Sequence, residues 1–310
     1  MSAVAGAIHQ LAAEIAVRSA RLGRPVAVDP GVLDRRGHLA LQPPGVWSPN
    51  RACRMVRAAD GWVTANLSRA DDLDLLPAWL ETAVGDDPWA ALIVAARDRP
   101  WRELIDRARL LGLPAAGVGE TAGSPLHAPL RRMATGLGRP IQGSLRVVDL
   151  SVMWAGPLCG GVLAAAGAEV VKVESTRRPD PVRHATPAFF ASLNGAKSDL
   201  ALDFADPAAI ARLRQAMICA QVVITSARPR AFEQLGLSPA SIFPLNPGLV
   251  WVAVSGYGWA GEAAGWTAFG DDAAAAGAFA ALEVGGGLLV DAGLARCAAG
   301  AAALRLARAA

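Results

Sequence analysis

Apolar residues change their spacing near residue 145, and the change divides the chain into two parts. Beyond it, short apolar runs typical of buried parallel strands alternate with segments of helical periodicity. The predicted strands are residues 146–150, 170–173, 199–204, 221–225 and 249–255. The predicted helices between them are residues 160–166, 207–219 with Asp206 as N-cap, and 239–243. This alternation predicts an α/β fold with ligands at the carboxyl ends of the strands.

The first part of the chain has a mixed pattern. Residues 3–23 have helical periodicity, and apolar residues alternate on both sides of Asp60-Gly61, which predicts a hairpin. Three further helices are predicted at 70–84, 87–98 and 100–114, before a stretch rich in Gly, Pro and Ser. We therefore predict a small α+β domain (1–122), a linker (123–144) and a Rossmann-like parallel-sheet domain (145–310).

Composition excludes several classes of protein. Hydrophobic residues make up 53% of the 310 residues and charged residues 18%, which argues against disorder. The net charge of +3 is small and the basic residues form no block, so we expect neither nucleic acid nor a membrane surface as partner. Four scattered cysteines, no signal segment and no long apolar stretch favour a reduced, cytoplasmic protein.

Common catalytic motifs are missing from the sequence. No G-x-G-x-x-G lies directly after the first predicted strand, which ends at Leu150, and neither G-x-x-x-x-G-K-[ST] nor G-x-S-x-G occurs, which argues against classical NAD binding, P-loop hydrolysis and a serine hydrolase. The four histidines lack metal-ligand spacing, so no metal cofactor is expected. Only two of the 30 basic residues are lysines, Lys172 and Lys197, and Tyr257 is the only tyrosine. An arginine-favouring, GC-rich genome explains most of this bias. Lys172 lies near Glu174, so an ion pair and a ligand contact are both open.

Four sequence phrases occur in an order that we recognise. They are "VVDLSVMWAGPLCGGVLAAAGAEVVKVES", "RPDPVR", "LNGAKSDLALDFADPAA" and "ARPRAFEQLGLSPASIFPLNPGLVWVAVSGYG". Over about 110 residues they resemble the class III CoA-transferases, the family that includes formyl-CoA:oxalate and carnitine CoA-transferases and the α-methylacyl-CoA racemases. A single phrase would be weak, but several in the same order make a specific signal.

The resemblance implies that the chain binds coenzyme A, supplied as an acyl-CoA substrate. Small residues in the "AGP" segment would let the backbone approach the CoA thiol end, and Trp154 would narrow the acyl site. Arg183, Lys197 and Arg228 are candidates for the phosphates, although solvated surface roles are open for each. The CoA-binding residues implied are Trp154, Ala155, Gly156, Arg183, Asn194, Lys197, Arg228, Tyr257 and Gly258.

The family's nucleophilic aspartate is matched by Asp291, in "GGGLLVDAGLARCAAG". The implied activity is transfer of CoA between carboxylic acids through an aspartyl-CoA thioester. An alternative role for Asp291 is to cap the following helix, and Asp271 with Asp272 forms a rival acidic pair. Two other functions stay open: a CoA-thioester-binding or accessory protein without turnover and, less favoured, an acyl-CoA racemase. The racemase's base histidine is absent, because Gly270 and Asp271 fill that place.

The order of the segments departs from the family's pattern. The "DGW" and "GLPAAGV" phrases near the start resemble a region that follows the nucleophile in family members. We therefore expect a shortened member with permuted domain order, acting on an acyl-CoA and an acceptor acid. The resemblance also implies a homodimer.

Overall fold

The computed structural model describes residues 3–20, 23–28, 45–48, 50–121 and 143–277. These residues form two compact units. The parallel-sheet unit contains the described residues up to 28 and those from 143 to 255, and the antiparallel-sheet unit contains residues 45–121 and 256–277. This division differs from the predicted one, because the first helix joins the parallel sheet and residues 256–277 join the small unit.

The described residues contain eight strands and twelve α-helices. The strands are β1 (Cys53–Arg57), β2 (Trp62–Asn66), β3 (Ala115–Gly117), β4 (Arg146–Leu150), β5 (Glu169–Ser175), β6 (Ser198–Leu202), β7 (Val222–Thr225) and β8 (Val250–Ala253). The helices are α1 (Ala3–Ser19), α2 (Ala70–Asp74), α3 (Leu76–Leu80), α4 (Pro88–Ala96), α5 (Trp101–Leu110), α6 (Ala155–Ala165), α7 (Pro181–Ala185), α8 (Pro187–Asn194), α9 (Pro207–Cys219), α10 (Pro229–Gln234), α11 (Pro239–Ile242) and α12 (Gly270–Ala276).

The five strands of the larger sheet run in parallel in the order β6-β5-β4-β7-β8. Within this sheet the chain first forms the central strand β4, continues outward through β5 and β6, and then crosses to β7 on the other side of β4. Strand order therefore reverses at β4 and β7, and the carboxyl ends of these two strands border a topological switch point. The predicted α/β class is confirmed.

Local capping explains where several helices begin. Asp206 accepts a hydrogen bond from the N–H of Ala208 at 2.9 Å, and Pro207 occupies the first turn, so α9 has the predicted bounds. Helix α6 begins at Ala155, five residues before its predicted start. The "AGP" segment is therefore the first turn of a helix. Helices α7 and α8 were not predicted.

The core of the parallel-sheet unit lies between the sheet, α6 and α1. Its buried members come from α1, α6 and four strands; they are Ile15, Leu145, Val147, Cys159, Val162, Leu163, Val170, Val222, Ile224 and Val252. The valine- and isoleucine-rich strands supply many of these contacts, as expected for strands covered on both faces.

The antiparallel-sheet unit is built on the predicted hairpin. Strands β1 and β2 pair across Asp60-Gly61, and β3 adds to the free edge of β2. Asp60 also accepts a hydrogen bond from the N–H of Trp101 at 2.7 Å and so fixes the start of α5. Trp79 is fully buried in the core of this unit and donates from Nε1 to the Leu104 carbonyl at 2.8 Å.

Residues 256–277 pack within the antiparallel-sheet unit, far in sequence from their neighbours. The N–H groups of Gly119 and Thr121 donate to the carbonyls of Ala275 and Ala276 at 2.8 and 3.0 Å. Across the described ranges, no helix is both long and apolar enough to cross a membrane. A search of the same ranges found no group of three or more His, Cys, Asp or Glu residues arranged to hold a metal ion.

Candidate functional site

The β4–α6 loop, residues 151–154, lies where the strand order of the parallel sheet reverses. Ligands of doubly wound sheets bind at such positions, because the loops leaving the two central strands diverge there. Ser151 and Trp154 are buried in this loop, whereas Met153 is 37% exposed. The loop is therefore the place in this unit where the fold favours a ligand.

The backbone of the β4–α6 loop is held in an unfavourable conformation. Met153 has a φ of +73°, which costs a residue with a side chain about 1–2 kcal/mol. Its N–H donates to both carboxylate oxygens of Asp180 at 3.2 Å. The two preceding N–H groups donate to the Ser226 hydroxyl at 2.9 Å and to Asp149 at 3.0 Å. Side chains from outside the loop thus fix three consecutive N–H groups.

Lys172 lies fully buried beneath this loop. Its Nζ donates to the carbonyl of Ser151 and, at 3.1 Å, to Oδ2 of Asp180. Asp180 also caps α7 by accepting from the N–H of Val182 at 3.1 Å. Of the two roles left open for Lys172, the structure shows the ion pair. Its partner is Asp180, while Glu174 accepts from the N–H of Asp180 at 2.8 Å.

Lys197, the second lysine, has a fully buried side chain as well. Its Nζ donates to Asp149 Oδ2 at 2.7 Å, to the carbonyl of Pro157 at 2.7 Å and to Asn194 Oδ1 at 2.8 Å. Burial lowers the pKa of this ammonium, and the Asp149 carboxylate opposes that change. The three donors of Lys197 already have three internal acceptors. A CoA phosphate could bind this lysine only if one of them were displaced.

Three glycines of α6 are positions of close approach inside the protein. A Cβ would lie 2.2 Å from Ser151 if added at Gly156, 2.6 Å from Asp149 at Gly160, and 2.7 Å from the carbonyl oxygen of Leu193 at Gly161. Such distances leave no room for a methyl group. The small residues therefore have a structural role here: they let α6 pack against the end of β4, the buried ion pair and α8.

Arg183 is bound to carboxylates of its own chain. Its Nε donates to Glu174 at 2.9 Å and its guanidinium reaches Asp199 at 2.9 Å. The guanidinium also lies over the ring of Phe190, 4.1 Å from its centroid. These hydrogen bonds, to Asp199 first and Glu174 second, raise the pKa of Arg183. The side chain is 30% exposed, so it is more accessible than Lys197.

Two other predicted binding residues are buried in the parallel-sheet unit. Trp154 is 4% exposed and packs with Phe189 and Leu193 of α8. Asn194 is also 4% exposed; it donates to the carbonyl of Phe190 at 3.0 Å and accepts from Lys197. Both positions help to attach α8 to the β4–α6 loop region.

The remaining predicted site residues are Arg228, Tyr257, Gly258 and Asp291. Arg228 is exposed in the loop that follows β7, at the N-cap of α10. Tyr257 and Gly258 belong to the antiparallel-sheet unit, where Gly258 has a φ of +93°. Asp291 lies outside the described residues. The rival Asp272 is fully buried and accepts from the N–H of Phe269 at 2.9 Å, which makes it a helix-capping residue of α12.

Tyr257 belongs to a second cluster of charged and aromatic groups. Arg109 pairs with Glu120 at 2.5 Å and lies 3.8 Å from the ring centroid of Trp266, which stacks edge-on with Tyr257. Burial raises the pKa of Glu120, and Arg109 opposes that rise. Burial and the nearby Glu120 carboxylate together raise the pKa of Tyr257. The cluster ties residues 256–277 to the rest of the antiparallel-sheet unit.

Sequence reasoning missed Asp149 and Asp180, the two carboxylates that organise the β4–α6 loop. Asp149 interrupts an otherwise apolar strand, and a charge in such a run is a signal of a buried partner. Asp180 precedes a proline, which is a recognisable helix N-cap pattern. Neither signal identifies the lysine that pairs with each aspartate.

Residues 143–305, more than half of the chain, match the sequence profile of CoA-transferase family III. The chain belongs to CoA-transferase family III. The family predicted from the four phrases is therefore confirmed. The matched residues include the parallel sheet, the β4–α6 loop and Asp291. The permuted segment order stays a prediction, because the match begins at residue 143.

The chain is similar to curated proteins and to a solved structure over part of their length. It is 32% identical over 143 residues to the succinyl-CoA–D-citramalate CoA-transferase of Chloroflexus aurantiacus, covering 43% of this chain and 35% of that one. It is 29% identical over 144 residues to the succinate–glutarate CoA-transferase of Agrobacterium fabrum, covering 42% and 36%. The crystal structure of the hypothetical protein Rv3272 of Mycobacterium tuberculosis is 30% identical, with a TM-score of 0.44, covering 49% and 44%. The chain thus spans about a third of the length of these two curated relatives.

Proposed function

We propose that this chain binds CoA thioesters at the β4–α6 loop and transfers CoA between carboxylic acids through Asp291. The observation that carries the proposal is the family match over residues 143–305, which includes both the loop at the switch point and Asp291. Two relatives that align with 42–43% of the chain are named CoA-transferases. The substrates are an acyl-CoA and an acceptor carboxylic acid, and the working form is a cytoplasmic homodimer.

The reaction proceeds by covalent catalysis. The Asp291 carboxylate attacks the thioester carbonyl, the C–S bond breaks, and a mixed anhydride forms with release of CoA thiolate. The thiolate attacks the aspartyl carbonyl and releases the donor carboxylate, which leaves an aspartyl-CoA thioester. The acceptor carboxylate attacks this thioester and expels the CoA thiolate, and a second mixed anhydride forms between the acceptor and Asp291. The thiolate then attacks the acceptor's carbonyl carbon in this anhydride and releases the Asp291 carboxylate. The new acyl-CoA leaves, and Asp291 regains its carboxylate.

The predicted cationic residues have different roles in binding the CoA phosphates. Arg228 is the leading phosphate ligand, because it is exposed on the loop after β7, next to the switch point. Arg183 is a secondary ligand, since it would share its guanidinium with Glu174 and Asp199. Lys197 acts from beneath the loop through its internal partners.

A second candidate function is a CoA-thioester-binding or accessory protein that does not turn over. One observation favours it. Arg183 and Lys197, which were expected to bind phosphates, are bound to internal carboxylates.

The deciding experiment is intact-mass spectrometry of the whole chain after incubation with a panel of acyl-CoAs. Succinyl-CoA and several bulkier thioesters form the panel, and borohydride or hydroxylamine traps the acyl or thioester intermediate. Asp291→Asn is the test variant. Asp86→Asn is the matched control, because Asp86 is an exposed carboxylate of the antiparallel-sheet unit.

The two functions give different masses. A CoA adduct that maps to Asp291 in the wild type and in Asp86→Asn, but is lost in Asp291→Asn, supports the transferase. Binding of thioesters without any adduct across the panel supports the binding protein. No binding by any thioester would refute both. Light scattering of the same samples tests the homodimer, and a monomer at all concentrations would contradict it.

A further inference from the structure

The two lysines of the chain lie beneath the same loop, and both are fully buried. Each ammonium is paired with an aspartate and also binds a backbone carbonyl of residues 151–157. An ammonium is a compact charge with three donors, so it fits where a planar guanidinium does not. The chain uses arginine at its 28 other basic positions, and keeps lysine at these two sites.

Buried ion pairs of this kind contribute little to net stability. Desolvation of both charges offsets their attraction, and apolar replacements of similar volume are often neutral. Their specific effect is on geometry, because a charge buried in one arrangement disfavours every other arrangement. At this loop the arrangement includes Met153 in a left-handed conformation, which persists only when the surroundings impose it.

The geometry points to Lys172 and Asp180 as positioning residues for the CoA-thioester site. Asp180 holds the Met153 N–H, and Lys172 joins Asp180 to the Ser151 carbonyl, so the pair clamps both ends of the loop turn. The clamp fixes the backbone against which the thioester lies and makes no direct contact with it. This inference rests on the proposed function, because it assigns a role within the same site.

The test uses the full chain and measures the dissociation constant for succinyl-CoA. In Lys172→Met/Asp180→Asn the pair is uncharged and of similar volume, and the asparagine oxygen still caps α7. We expect this variant to stay folded and to bind succinyl-CoA about tenfold more weakly, which corresponds to about 1.4 kcal/mol. Amide exchange in peptides covering residues 151–154 is expected to be about tenfold faster, with β4 unchanged.

A third substitution separates positioning from a general structural effect. Adding Met153→Gly to the double variant removes the cost of the left-handed conformation, because glycine adopts it freely. Binding is therefore expected to recover to within about threefold of the wild type while amide exchange in β4 stays unchanged, whereas repair of a general loss of stability would slow exchange in β4 as well. Arg107→Met is the control, since Arg107 pairs with Glu81 at 2.9 Å in the antiparallel-sheet unit and should leave binding unchanged.

Each outcome has a distinct meaning. If the wild type does not bind succinyl-CoA or any other thioester of the panel, the proposed function fails and the positioning role fails with it. If the wild type binds and the double variant binds equally well, the positioning role is overturned while the proposed function stands. Binding that is lost in the double variant and not recovered by Met153→Gly also overturns it, because the clamp would then not act through the loop backbone.

Discussion

Gly160 lies where helix α6 crosses the buried pair of Asp149 and Lys197, and its replacement by alanine tests that packing. The new Cβ would lie 2.6 Å from Asp149 Oδ2 and 3.0 Å from Lys197 Nζ. Neither atom can retreat without lengthening the 2.7 Å contact between them. Overpacking of a core costs about 1–3 kcal/mol. Disruption of a buried pair costs about 3–5 kcal/mol.

Alanine also has a favourable effect at this position. It gains about 1 kcal/mol over glycine in a helix interior. The two costs span about 1–5 kcal/mol, and this gain reduces the net loss to about 0–4 kcal/mol. We expect a loss of about 1–2 kcal/mol for Gly160→Ala, in the lower half of that range, because the pair can shift before it breaks. Gly85→Ala is the matched control, since an added Cβ at Gly85 meets no atom within 4 Å. We expect that control to be neutral or stabilising by up to about 1 kcal/mol.

The assay has to report on each unit separately, because the chain has two compact units and need not unfold in one step. Urea-dependent amide exchange, read by mass spectrometry, gives the free energy of unfolding of each unit: peptides from residues 146–175 report on Gly160→Ala, and peptides from residues 53–66 report on Gly85→Ala. Equal stability of Gly160→Ala and the wild type would refute the close approach of α6 to the buried pair. A comparable loss in Gly85→Ala would show that glycine replacement as such is harmful.

Three further predictions concern other parts of the chain. Asp206→Ala removes the cap of α9 and should cost about 1 kcal/mol, whereas Asp206→Asn should cost less than half of that; equal losses in urea unfolding would contradict capping. Trp79→Phe removes the hydrogen-bond donor of the Leu104 carbonyl and creates a small cavity, so we expect the free energy of unfolding to fall by about 2–3 kcal/mol. A fall below about 0.5 kcal/mol would be inconsistent with a buried hydrogen bond. Burial raises the pKa of Glu120 above 4.5, so its contribution to stability is present below pH 4.5 and is lost as pH rises through the folded-state pKa. The stability of the wild type relative to Glu120→Gln should therefore fall as the pH rises through that range. A difference that does not change with pH would contradict this prediction.

Local signals in the sequence predicted the elements that depend on local chemistry. Asp206 followed by Pro207 defined α9, and the alternation around Asp60-Gly61 defined the hairpin, because caps and turns are decided by neighbouring residues. The predicted helix 160–166 leaves the "AGP" segment outside it. That segment begins α6 instead, because proline fits the first helical turn and the glycines allow close packing.

Contacts between distant residues could not be predicted in the same way. Arg183 and Lys197 were expected to meet phosphates, yet their carboxylate partners lie 9 to 48 residues away in sequence. Residues 256–277 join the antiparallel-sheet unit through hydrogen bonds with residues as far as 156 positions away. A sequence shows that a cationic side chain is present, but only the fold shows which acceptor lies within hydrogen-bond distance of it.

The burial of both lysines also has a consequence for covalent labelling. In the folded chain neither lysine amine is open to an acylating reagent, and a lysine ammonium reacts only after it loses its proton and reaches solvent. The rate of lysine modification therefore measures how often the loop above them opens. Amine-directed dyes and cross-linkers would therefore label the α-amino group in preference to either lysine, and maleimide at the exposed Cys219 is the better side-chain handle for the folded protein.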